Sequence, residues 1–175
     1  MLGRVADQPR YPPEGLVPYD PAWRHRYDEL ADQLHQTLGR RWRVEHIGST
    51  SVPGLLAKPV IDLAVRVPDP AELDDKLAVL EAIGWTNLTA LPTHQTLYQL
   101  DHDQTRRGIA HLFSAEQWAT APQRLFPAWL RTHPTDRDTY ARLKQTLRDT
   151  GTWGHNYNRR QDDLPEPHLC PGRRR

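Results

Sequence analysis

Glu45-His46-Ile47-Gly48-Ser49-Thr50, followed further on by Lys58-Pro59-Val60-Ile61-Asp62-Leu63-Ala64-Val65-Arg66-Val67, decides the reading of this chain. The second stretch is rich in β-branched residues. It sends Ile61, Leu63, Val65 and Val67 to one face of a strand and Asp62, Ala64 and Arg66 to the other. The first stretch is a short strand, Arg43 to Ile47, that runs into a Gly-Ser turn. Glycine lets a backbone approach a ligand closely, and Ser49 and Thr50 add hydroxyls. Successive N–H groups in such a turn can hold a phosphate. Asp62, on the polar face of the next strand, can hold Mg²⁺ or Mn²⁺, since Mg²⁺ usually takes one or two carboxylates plus substrate phosphates. Lys58 stands just before that strand, where it can neutralise phosphate charge. Arg66 returns to the Asp62 face. The plainer alternative is a surface turn and a solvated aspartate. An aspartate within an apolar strand is disfavoured unless paired or coordinated, so the combination favours a site. Neither G-x-x-x-x-G-K-[ST] nor G-x-G-x-x-G occurs in the sequence, which argues against a P-loop kinase and a dinucleotide-binding dehydrogenase.

Upstream, Asp20-Pro21 caps a helix whose buried stripe is Trp23, Tyr27, Leu30, Leu34 and Leu38, with Gly39 as its stop. Residues 1–15 read as an extended or flexible arm. Downstream, Asp69-Pro70 repeats the cap, and Leu73, Leu77, Leu80 and Ile83 make a second helical stripe ended by Gly84. Weaker strands are expected near Trp85 to Leu88, Thr96 to Leu100 and Ile109 to Phe113, with a polar turn from Asp101 to Arg107. Two helical segments follow: Ala115 to Thr132, kinked or divided by Pro127, and Asp136 to Arg148. Residues 165–175 read as a tail. The order helix, strands, helix, strands, helices predicts a single α+β domain over residues 16–164, a mixed β-sheet flanked by α-helices.

Composition narrows the partners. The 175 residues suit one domain. Lys plus Arg number 23 against 22 for Asp plus Glu, so no overall charge favours nucleic acid. Residues 1–13 carry no apolar run like a signal peptide, and no stretch is apolar enough to span a bilayer. With Cys170 as the one cysteine, a reducing, cytoplasmic setting without membrane contact is expected.

Nine histidines raise the question of zinc. No H-E-x-x-H or Cys/His cluster exists, and His94, His102, His133, His155 and His168 are scattered among polar loops. His111, on a short strand beside Arg106 and Arg107, reads either as a general base or phosphate contact or as a hydrogen-bonded interior residue. His46 either braces the turn through a backbone hydrogen bond or touches phosphate. Tyr140 and Lys144 share a helical face; alone they read as a core residue and a surface cation.

The block from Glu45 to Leu55, with Ala57-Lys58-Pro59-Val60-Ile61-Asp62, resembles the signature of the GrpB family. Val17-Pro18-Tyr19 with Trp23, and Leu130 to Pro134, Tyr140 and Leu143-Lys144, also follow its pattern, so the resemblance spans roughly Val17 to Asp162. It implies a nucleotidyltransferase-like fold and places Lys144 among the phosphate contacts. The family also occurs fused to dephospho-coenzyme A kinase. The superfamily pattern is a Gly-Ser turn followed by an Asp-x-Asp strand. Gly48-Ser49 and Asp62 fit it, but Ala64 stands where the second acid belongs, an absence the family tends to share. Two acids normally hold two metals in such transfer; Glu45, one strand earlier, is the candidate replacement. Other departures are Phe113 in a His-Leu-His pattern, Pro127-Ala128 where the family has Arg-Asp, and Gln161 where it has Lys after Tyr157. The resemblance implies transfer of a nucleotidyl group from an NTP, AMP from ATP, to a small acceptor, including adenylation of a carboxylate. Gly48, Ser49 and Thr50 would cradle phosphates, Asp62 would hold the metal, and Lys58, Arg66 and Arg107 would stabilise charge. His111 would act on the acceptor. The alternative is a nucleotide- or phosphometabolite-binding module without transfer chemistry.

Overall fold

A computed structural model describes residues 9–90 and 94–151. Five strands form one sheet in the order β1-β2-β5-β4-β3: β1 (Arg43–Ile47), β2 (Ile61–Arg66), β3 (Trp85–Ala90), β4 (Gln95–Leu100) and β5 (Arg106–Phe113). β2 and β5 are parallel; the other neighbours are antiparallel. The helices are α1 (Ala22–Leu38), α2 (Leu73–Ala82), α3 (Ala115–Thr120), α4 (Pro122–Thr132) and α5 (Pro134–Asp149). This is the α+β mixed sheet with flanking helices that the sequence predicts.

The caps behave as their chemistry requires. The Ala22 N–H donates to Asp20 Oδ1 at 2.9 Å, and the Ala71 N–H donates to Asp69 Oδ1 at 2.9 Å. Gly39, at φ +87°, ends α1 by donating its N–H to the His35 carbonyl. The α1 stripe then buries Trp23, Ala31, Leu34 and Leu38 against Leu63 and Val65 of β2, Ala110 and Leu112 of β5, and Leu80 of α2. Each such leucine contributes about 1.5–3 kcal/mol by leaving water. One face of the sheet is therefore covered core, and Asp62 lies on the other.

That second face is not polar throughout. Ala64, expected on the polar side of β2, is fully buried beneath Ile47, Phe113, Trp118 and Ala121, because α3 and the start of α4 fold down over that end of the sheet. The Ala115 to Thr132 segment divides at Ala121, not at Pro127. Pro122 occupies the first position of α4, and the residue before a proline is driven out of the helical region: Ala121 sits at φ −59°, ψ 111°. Pro127 is carried inside α4. β5 also starts earlier than expected. The turn before it closes by residue 105, where Asp101 Oδ1 accepts from the N–H groups of Asp103 and Thr105, each at 2.9 Å.

Of the arm, Pro9 onward is described. The Arg10 N–H donates to the Gln104 carbonyl at 3.1 Å and the Arg106 N–H donates to the Arg10 carbonyl at 2.9 Å, so this segment lies extended beside the start of β5. The tail at 165–175, together with His155, Tyr157, Gln161, His168 and Cys170, falls outside the described residues. Among the described residues no helix is long and apolar enough to cross a membrane.

Candidate active site

β1 pairs Ile47 with Asp62, so the chain leaves β1 directly over the start of β2. Gly48 follows at φ +69°, ψ −176°, a region in practice reserved for glycine. A Cβ built on it would lie 3.0 Å from Asp62 Cβ and nearer still to a carboxylate oxygen. The aspartate fills the space that any other residue at position 48 would need. The sequence therefore specifies Gly48 twice, by backbone conformation and by room for Asp62.

The turn is fixed by side chains from three other elements. The Ser51 hydroxyl donates to the Gly48 carbonyl at 2.7 Å, and Arg131 of α4 donates to Ser51 Oγ at 2.9 Å. His46 Nε2 lies 3.0 Å from Thr50 Oγ1, with its ring stacked on Tyr27 of α1 at 4.7 Å. His46 thus braces the turn through the Thr50 hydroxyl and not through backbone. Burial holds it neutral, with its pKa lowered to about 4. Lys144 is no surface cation: it is 2% exposed. Its Nζ donates to Ser49 Oγ at 2.5 Å and to the Leu56 carbonyl at 2.6 Å, tying both ends of the turn to α5. Burial lowers its pKa to about 7, a shift that nearby Asp62 partly opposes.

Across the parallel pairing, Ala64 lies beside His111. His111 Nε2 stands 3.8 Å from Asp62 Oδ1, within range for charge attraction and too far for a hydrogen bond. Its other nitrogen, Nδ1, lies 2.8 Å from His94 Nε2. His94, expected in a polar loop, is 7% exposed and packs on Phe113 with ring centroids 4.5 Å apart. Burial, with His111 beside it, lowers its pKa to about 4, so it is neutral near pH 7. One nitrogen of the pair must donate and the other accept. With His111 Nδ1–H donating to His94 Nε2, His111 Nε2 keeps a lone pair free to take a proton on the Asp62 side. No sequence motif marks His94; it directly precedes β4 and reaches His111 only through the sheet.

On the other side of Ala64, β1 presents Glu45. Its carboxylate accepts from Arg124 Nε at 2.6 Å and lies 3.0 Å from the Arg43 guanidinium. Arg66 is not gathered at the turn. It lies four residues beyond Asp62, about 13 Å along the strand at ~3.3 Å per residue, where it pairs with Arg43 and Phe113.

The two arginines that open β5 take different surroundings. Arg107 is exposed, whereas Arg106 is 9% exposed, with its guanidinium carbon 5.0 Å from the Tyr98 ring. The β4–β5 register shifts between the Gln99 and Leu100 pairs, and this bulge breaks the alternation by which Arg107 would share a face with His111. Lys58, at the same end of the sheet, places Nζ 3.7 Å from the Tyr11 ring centroid, and Arg106 lies 4.1 Å from the same ring. Among the described residues no group of three or more His, Cys, Asp or Glu could hold a metal; the carboxylate packed against the Gly48 turn is that of Asp62.

The GrpB protein family profile matches residues 14–166. This chain belongs to the GrpB family. Within the family's reach it is similar to UPF0157 protein BH1888 of Halalkalibacterium halodurans, with 38% identity over 136 residues, 75% of this chain and 68% of that protein. The crystal structure of GrpB from Enterococcus faecalis superposes with a TM-score of 0.69 at 31% identity, covering 79% of this chain and 86% of that one. A dephospho-CoA kinase of Mycobacterium tuberculosis is 30% identical over 160 residues, 75% of this chain but only 39% of the kinase.

Proposed function

We propose that this GrpB-family chain is a nucleotidyltransferase-type enzyme that moves AMP from ATP to a small acceptor. The observation that carries the reading is the Gly48 turn closed directly against Asp62. A Gly-Ser turn, of the kind whose N–H groups can hold phosphate, thus lies beside a carboxylate, and Lys58 adds positive charge at the same end of the sheet. Asp62 fits Mg²⁺ or Mn²⁺ only as the single protein carboxylate of a site completed by substrate phosphates, an arrangement Mg²⁺ commonly accepts. Such an ion would supply Lewis-acid neutralisation of the triphosphate.

The step is a displacement at phosphorus. An acceptor oxygen forms a bond to the α-phosphorus, the bond from that phosphorus to the bridging oxygen breaks, and pyrophosphate leaves. A hydroxyl acceptor gives its proton to His111, whose placement between Asp62 and His94 suits that role; a carboxylate acceptor has none to give. Gly48, Ser49 and Thr50 hold phosphate. His46 and Lys144 serve by fixing the turn. Arg66 and Arg107 stand farther out and would act on parts of the substrate remote from phosphorus. The lone Cys170 supports a reducing, cytoplasmic setting.

The test is pyrophosphate release from NTPs with Mg²⁺ or Mn²⁺ over a panel of carboxylate and hydroxyl acceptors, with Asp62→Asn as the control. Turnover that survives Asp62→Asn defeats the mechanism. A second reading, a nucleotide-binding module without transfer, is favoured by one observation: Ala64 lacks a carboxylate, and the neighbouring Glu45 is already held by Arg124 and Arg43. It predicts NTP-induced thermal stabilisation with little dependence on metal and no pyrophosphate.

A further inference from the structure

Arg106 is a buried guanidinium whose Nε–H meets no hydrogen-bond acceptor among the described residues. The guanidinium lies against the Tyr11 and Tyr98 rings, contacts that leave that N–H unanswered. Leaving a buried donor unmatched costs about 1–3 kcal/mol, more for a charged group. Arg124, a partly buried arginine of α4, by contrast meets a carboxylate and a carbonyl. Arg106 is held in place without such a partner: its own backbone N–H is bonded to Arg10, and the bulge turns its side chain inward.

Lys58 stands at the same ring, 3.7 Å from the Tyr11 centroid against 4.1 Å for Arg106. Tyr11 itself is 39% exposed, so the cluster opens to solvent along that side chain. Lys58 and Arg106 meet at this ring, and the nearby Asp62 carboxylate favours the charge on Lys58. A cationic ligand would meet repulsion there; an oxyanion would meet a guanidinium fork, an ammonium and a phenol.

The cluster also has a side. Asp62 pairs with Ile47 on β1, where the Gly48 turn begins, and with Ile109 on β5, which Arg106 opens. The turn and the Arg106 cluster thus flank Asp62 from opposite strands. In displacement at phosphorus the attacking and leaving oxygens lie roughly in line, so acceptor and pyrophosphate approach from opposite sides.

We propose that Arg106, Lys58 and the Tyr11 hydroxyl form a second oxyanion seat, which takes a carboxylate or phosphate carried by the acceptor while the Gly48 turn takes the phosphates of the nucleotide. The assignment to the acceptor rests on the nucleotidyl-transfer reading; the oxyanion seat itself does not.

The experiment is NMR on the unsubstituted chain, following the assigned Arg106 Nε–H and the Gly48 to Thr50 amides. The titrants are inorganic phosphate, acetate and a non-hydrolysable ATP analogue with Mg²⁺. Saturable shifts of Arg106 Nε–H with phosphate or acetate are expected, and whichever binds more tightly names the anion. These shifts should persist when the turn amides are already saturated by the analogue. Arg106→Met should weaken the same anion at least tenfold by calorimetry. If Arg106 Nε–H stays unmoved while the turn amides respond to phosphate, the seat is overturned and the nucleotide reading stands. If the analogue itself displaces phosphate from Arg106, the residue belongs to the triphosphate and the acceptor assignment falls. If Arg106 responds but the analogue binds nowhere, the seat stands and nucleotidyl transfer fails.

Discussion

Gly48 and Asp62 occupy one another's space: the room for a Cβ at position 48 is taken by the Asp62 side chain. The turn and the strand that carries the carboxylate therefore cannot vary independently. Gly48→Ala should cost about 1–3 kcal/mol from backbone strain alone, plus whatever is needed to push Asp62 aside. Denaturation midpoints should fall, and NTP-dependent turnover should fall further than the loss of folded protein explains. An alanine variant of unchanged stability and activity would show that the turn does not depend on the glycine.

Lys144 couples the turn to pH. Its pKa is about 7 when folded and about 10.5 when unfolded. Between those values the unfolded chain holds a proton that the folded chain has released, so this group's contribution to stability rises with pH through that window and is flat below it. Lys144→Met should remove that slope. It should also weaken the chain by a pH-independent offset of about 1–3 kcal/mol, from the partners left at Ser49 and Leu56. Urea midpoints of the two proteins at pH 6, 8 and 9 measure both effects. A difference between them that does not change with pH contradicts the buried, depressed lysine.

His94 should matter without touching substrate. Its bond to His111 Nδ1 fixes which nitrogen of His111 carries the proton. His94→Phe should lower kcat about 10-fold or more, leave KM for the nucleotide nearly unchanged and shift the acid limb of the pH–rate profile. His94→Asn, which retains a side-chain acceptor, should recover part of the loss. Equal losses in both variants with an unmoved pH profile would reduce His94 to packing against Phe113.

Glu45 and Asp62 should separate cleanly. Glu45 is committed to Arg124 and Arg43. Glu45→Gln, which keeps an acceptor for Arg124, should therefore leave the Mg²⁺ dependence of turnover unchanged. A metal requirement that rises steeply in this variant would return Glu45 to the metal site.

Much of the frame was legible because it is local. The helical stripe from Trp23 to Leu38, the cap at Asp20 and the alternation in β2 are periodic signals that tertiary structure left intact. The turn and Asp62 were legible because a carboxylate in an apolar strand needs a reason. What escaped lies in contacts across the sheet. Ala64 is buried because α3 covers it, which no spacing within β2 announces. Arg106, and not Arg107, is turned in against Tyr11 and Tyr98 because a bulge shifts the register. Lys144 is a brace because α5 returns to position 49, far away in sequence. His94 meets His111 only through the pairing of β4 with β5.

The central claim is that the carboxylate of Asp62, seated under the Gly48 turn, serves nucleotidyl transfer. Pyrophosphate release from ATP with Mg²⁺, measured for the unsubstituted chain and for Asp62→Asn across the acceptor panel, tests it most directly. The account predicts acceptor-dependent release that drops at least 100-fold in Asp62→Asn, with the melting temperature kept within a few degrees. Equal release by both proteins would contradict it.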